Sequence, residues 1–151
     1  MLLMSDFQKL VRCSRPELLL LAQTFVWLGI MRIAIAVFPF QKIARWLGLK
    51  PGELPPPIFE MQVADIKKVQ WAISVVSRRT PWDSTCLAQS LTGAVLLQKK
   101  NIPALLNLGI ARDDSRIGYS AHAWLQCGET ILTGAGVCSR YKVIASFRTC
   151  D

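Results

Sequence analysis

The chain has 151 residues, of which 52% are hydrophobic and 19% charged, with a mean hydropathy of +0.32. That is apolar material enough to bury one core, and too little charge for long disordered tails. Eighteen Lys and Arg against ten Asp and Glu leave a formal charge of +8, which favours acidic partners in general. The sequence lacks any run of five basic residues and any aromatic–basic interleaving, so nucleic acid is not an expected partner.

Leu18 to Met31 reads LLLLAQTFVWLGIM, an apolar run closed by Arg32 and resumed in IAIAVFPF. The run falls short of the roughly 20 residues that span a bilayer. Arg32 also stands where a signal peptide avoids charge. The segment is expected as a core or partner-binding helix, with peripheral membrane contact through residues 18–40 as the alternative. A second helix over Gln41 to Leu47 ends at Gly48. Pro55, Pro56 and Pro57 exclude a helix, which makes Lys50 to Pro57 a stiff extended linker. The expected division is an N-terminal helical region and linker over 1–57 and a core domain over 58–151.

Val63, Ile66, Val69, Ile73 and Val76 recur at three- and four-residue steps, which predicts an amphipathic helix over Glu60 to Arg79. Trp82-Asp83-Ser84-Thr85 is rich in capping side chains. The following stretch from Cys86 to Lys100 is apolar almost all round, the mark of a helix buried at a domain centre. Asn101 and Pro103 stop it. The period then changes to two. Ala104 to Arg112 reads as a strand, Ala121 to Cys127 and Thr130 to Thr133 as a hairpin turning at Gly128-Glu129, and Tyr141 to Phe147 as a last strand. A buried helix followed by an antiparallel sheet is an α+β arrangement.

The five cysteines, Cys13, Cys86, Cys127, Cys138 and Cys150, form no CxxC pair and no zinc spacing. Their odd number and wide gaps point to thiols kept reduced in a cytoplasmic compartment. Neither a metal nor a cofactor is expected. The single histidine, His122, must carry any imidazole chemistry. A nucleophilic thiol has to ionise, and the start of a helix favours the thiolate through its unpaired N–H groups and its dipole. Cys86 is the cysteine at such a position. A strand histidine within reach would take its proton, which makes Cys86 and His122 the candidate nucleophile and base.

Trp82-Asp83-Ser84-Thr85-Cys86-Leu87-Ala88-Gln89-Ser90-Leu91, then Ala121-His122-Ala123-Trp124-Leu125, resembles the transglutaminase-like, papain-like core of the lasso-peptide leader peptidases. The apolar N-terminal helices and proline-containing linker resemble the stand-alone peptidase subunits of that family. The resemblance runs from about Pro16 to Phe147. It implies a cysteine peptidase that removes the leader from a ribosomally made precursor peptide, with Trp82 and Trp124 near the site. It further implies two partners: a leader-recognition protein, and an asparagine-synthetase-like cyclase that closes the ring. An inactive docking module of the same fold and an acyl transferase are the alternative readings.

One position departs from the pattern. The acid that orients the histidine in many members falls at Gly134 in this chain. With a two-residue hairpin turn, His122 would face Ala135 and Thr133 would lie diagonally on the same face. Thr133 and Gln126 are therefore the side-chain candidates for holding the ring, with a backbone carbonyl as the other possibility.

Overall fold

The computed structural model describes residues 12–149 apart from Leu54, Pro56 and Arg116, so Cys150 lies outside the described residues. Helix α1 covers Arg15–Val37. Glu17 starts it by reaching back to Ser14, accepting from the Ser14 N–H at 2.8 Å and from its hydroxyl at 2.9 Å. Those two bonds, the backbone one first, lower the Glu17 carboxyl below its ordinary value. The helix runs on through Arg32, so it is longer than the clean apolar run. It is long and apolar enough to cross a membrane by length and composition. One face is nonetheless buried in the protein, with Leu28 and Met31 fully enclosed. Thr24 on the same face satisfies its hydroxyl by donating to the Leu20 carbonyl at 2.7 Å.

Pro39 separates α1 from a short helix α2, Phe40–Trp46, and Gly48 turns the chain with φ +68°. The expected linker then begins inside the sheet. Lys50–Pro51 forms β1, paired antiparallel with the last strand through Lys50↔Arg148 and Pro51↔Phe147. Proline is tolerated there because an edge strand leaves one side of its backbone unpaired.

A 3₁₀ turn at Glu60–Gln62 leads into α3, Val63–Ser77, whose buried face carries Ile66, Val69, Ile73 and Val76. Helix α4 covers Cys86–Gln98, and every residue from Ser90 to Leu97 is buried. The remaining strands are β2 (Leu105–Arg112), β3 (Tyr119–Cys127), β4 (Thr130–Thr133) and β5 (Lys142–Arg148). They form an antiparallel sheet in the order β1-β5-β2-β3-β4. The α+β arrangement of a buried helix against an antiparallel sheet, preceded by an apolar helix, is thus present. One hydrophobic cluster joins Leu28 and Met31 of α1, Ile73 of α3, Leu91 and Leu96 of α4, and Leu106 and Leu125 of the sheet.

Helix α4 lies between α1 and α3 on one side and β3 and β4 on the other. The approach is close at Gly93. A Cβ there would meet Leu125 Cδ2 at 2.7 Å and Ile73 Cδ1 at 3.1 Å, and both of those side chains are fully buried. Gly93→Val therefore overpacks the centre. It is expected to destabilise the fold by about 1–3 kcal/mol, read as a lower urea midpoint at unchanged slope.

Candidate active site

The loop before α4 is tied to itself. Thr80 Oγ1 donates to the Trp82 carbonyl at 3.1 Å and lies 2.8 Å from Ser84 Oγ, while Gln89 Nε2 donates to the Ser84 carbonyl at 2.8 Å. Thr85 is the N-cap of the helix, its hydroxyl accepting from the Ala88 N–H at 3.3 Å. Cys86 is the first helical residue, a half-buried free thiol. Helical geometry leaves the N–H groups of Cys86 and Leu87 without a carbonyl partner inside the helix, which suits them to receive an oxyanion.

Trp82 anchors this loop to α1. Its ring lies 5.2 Å from that of Phe25, and its benzo edge comes over Gly29, where a Cβ would stand 3.5 Å from Cζ2. Its indole nitrogen is buried and has no hydrogen-bond partner among the described residues. Trp27 packs against Trp46 at 6.5 Å and lies under the Lys99 ammonium at 5.0 Å. Phe25 and Trp27 therefore make internal contacts, Phe25 while still 45% exposed.

His122 stands near the start of β3, opposite Gly109 of β2. Alternation puts His122, Trp124 and Gln126 on one face of the strand, and Ala123, Leu125 and Cys127 on the other, against the core. The rings of His122 and Trp124 are stacked, with centroids 6.0 Å apart, and the Tyr141 ring lies 5.0 Å from that of His122. Tyr141 also accepts a hydrogen bond from Ser120 at 3.2 Å. Its proximity was not legible in the sequence, because it precedes β5 across a sheet whose strand order is not sequential.

The level of Cys86 relative to His122 follows from the packing. Helix α4 runs in the same direction as β3: Gly93 meets Leu125, and further on Gln98 donates to the Thr149 carbonyl beside Ala104, where β2 begins opposite the end of β3. Seven residues of helix back from Gly93, about 10 Å, reach Cys86. Three residues of strand back from Leu125, also about 10 Å, reach His122. The two residues thus share one end of the helix–strand pair. No hydrogen bond joins them in this structure, and the imidazole lies on the face of β3 turned away from Leu125, the side chain that meets α4.

A backbone group, not a side chain, meets the imidazole. His122 Nε2 lies 3.2 Å from the carbonyl oxygen of Gly134. Since a carbonyl only accepts, Nε2 carries the proton and donates, and in the neutral ring Nδ1 is left as the base. The two side-chain candidates are corrected. The hairpin has its two-residue turn, with Cys127↔Thr130, but its register shifts between Gln126 and Leu125 so that Leu125 faces Thr133. That slip moves Thr133 onto the helix face. There it lies 2.7 Å from Ser90 Oγ and accepts from the Leu125 N–H at 3.1 Å. Gln126 donates to the Gly128 carbonyl at 2.8 Å and accepts from Asn107 at 3.4 Å, so it does not hold the imidazole either. Ser90, one turn beyond Cys86 on the same helix face, was not singled out from sequence; its bond to Thr133 ties the helix of Cys86 to the strand that ends just before Gly134.

The family model of the transglutaminase-like superfamily matches residues 25–146. No curated protein and no solved structure is significantly similar to the chain.

Gly134 has φ +75°, and a Cβ there would stand 2.6 Å from His122 Nε2 and 3.1 Å from the Ala123 carbonyl. An aspartate therefore does not fit where the acid would fall. Gly134→Ala is expected to push the ring off its carbonyl and to lower kcat/KM by about 10²-fold. The chain has one histidine, so its tautomer can be read directly by nitrogen-15 NMR: Nε2–H in the wild type, and loss of that signature in the variant. An unchanged tautomer and rate would remove the carbonyl from the site.

Proposed function

Because the chain belongs to the transglutaminase-like superfamily, which includes cysteine peptidases and acyltransferases, we propose that it is a cysteine peptidase that removes the leader from a ribosomally made lasso-peptide precursor. The observation that carries this reading is a thiol at the start of a buried helix, level with a histidine whose Nε2 is already held by a carbonyl. Cys86 as thiolate attacks the scissile carbonyl, and the N–H groups at the helix start receive the oxyanion. His122 Nδ1 takes the thiol proton and returns it to the leaving amine, giving a thioester. Water, deprotonated by the same nitrogen, then releases the acid and the thiol.

The resemblance of the Trp82–Leu91 and Ala121–Leu125 segments supports the lasso-peptide assignment. With it come the precursor peptide as substrate, a leader-recognition protein to deliver it, and an asparagine-synthetase-like cyclase to use the product. The proposed compartment is the cytoplasm. A second reading follows from the same thioester, since an amine in place of water makes the chain an acyl transferase.

Incubation of the full chain with a precursor and its recognition protein, followed by mass spectrometry, separates the readings. Loss of the leader mass supports the peptidase, an amide adduct supports acyl transfer, and unchanged precursor in both cases supports a docking module. Cys86→Ala is expected to abolish the conversion without changing the thermal midpoint, because it removes the nucleophile and little volume. Turnover that survives this substitution would exclude Cys86 as the nucleophile.

A further inference from the structure

Helix α1 is apolar on both sides, while the domain covers only one. On the outer side Leu19, Val26, Ile30, Ile33 and Val37 follow one another at helical spacing, with Ile33 66% and Val37 64% exposed. A helix that is hydrophobic all round belongs in a core or in lipid. Between its C-terminal half and α2 lies a groove of about 470 Å³, lined by apolar side chains including Phe38 and Trp46 and by one charge, Lys42.

The charges along this stretch of the chain after the first turn of α1 are of one sign. No Asp or Glu occurs between Glu17 and Glu53, whereas Arg32, Lys42, Arg45 and Lys50 do. Lys42, Arg45 and Trp46 are exposed on α2 and share one of its faces through three- and four-residue spacing. An apolar stripe edged by cations, with aromatic residues at its margin, is the composition of a helix lying in a bilayer interface. We propose that the outer face of α1 and the groove it shares with α2 dock the protein on an anionic lipid surface, with α1 in the plane of the interface.

Two other dispositions fit less well. To span a bilayer, α1 would have to withdraw Leu28 and Met31 from the core and release Trp82 from Phe25 and Gly29. A second copy on this face, related by a two-fold axis, would set one cationic margin against the other, where lipid headgroups would neutralise it. The proposal stands apart from the reaction: it uses no residue of the site and is tested without substrate.

The test is co-sedimentation of the full chain with vesicles of phosphatidylcholine alone, and of phosphatidylcholine mixed with phosphatidylglycerol. Binding is expected to the mixed vesicles only, and to weaken as salt rises. Ile33→Asp with Val37→Asp is expected to abolish it, with circular dichroism confirming that the helices remain. Lys42→Gln and Arg45→Gln are each expected to weaken it about fivefold, and carry the test if the aspartate variant does not fold. Failure of the folded wild-type protein to sediment with mixed vesicles at low salt would overturn the proposal. So would binding that neither set of substitutions reduces. A concentration-dependent dimer that Ile33→Asp dissolves would assign the face to a second copy and overturn it as well.

Discussion

The close approach of α4 to β3 at Gly93 sets the rest of the structure. A side chain at that point would hold the helix off the sheet, and Leu125 and Ile73 fill the space it leaves. With the contact made, the helix and the strand are in fixed register along their shared direction. Cys86 at the helix start and His122 on the strand are then level along that direction without any direct bond between them. The Ser90–Thr133 hydrogen bond pins the same register one turn beyond Cys86. Being buried, it cannot be exchanged for water without loss.

The N-terminal helix belongs to this arrangement as much as the sheet does. Phe25 and Gly29 seat the indole of Trp82, four residues before Cys86, and the superfamily match begins at Phe25. The helix buries Leu28 and Met31 in the same hydrophobic cluster as Leu125. Its inner face shapes the loop that carries Cys86, while the apolar side chains of its outer face stand largely exposed among the described residues. One element thus answers to two environments.

Much of this was legible in the chain, and the parts that were not have a common cause. The start of α4 could be read because Thr85 is a local signal: its hydroxyl caps the helix within three residues. The strands β2, β3 and β5 could be read because a sheet with one covered face alternates in period two. The faces of α1 could not, since a helix with apolar residues almost all round carries little phase. The pairing of Lys50 and Pro51 with the far end of the chain has no local signature at all. The same holds for the register shift at Leu125, which is a property of how β4 meets β3 and not of either sequence. That shift took Thr133 away from the histidine and brought the Gly134 carbonyl to it, so the orienting group followed from an irregularity that alternation does not reveal.

An imidazole oriented by a peptide carbonyl has a particular consequence for anyone dissecting this chemistry. The oxygen belongs to the main chain, so truncating side chains to alanine does not remove the group that meets His122. Nor does that oxygen gain or lose a charge anywhere in the pH range of a living cell, so the tautomer it selects is held by geometry alone. Only an edit to the chain itself reaches it: an ester in place of the amide between Gly134 and Ala135 leaves every side chain intact and blunts the one acceptor that His122 uses.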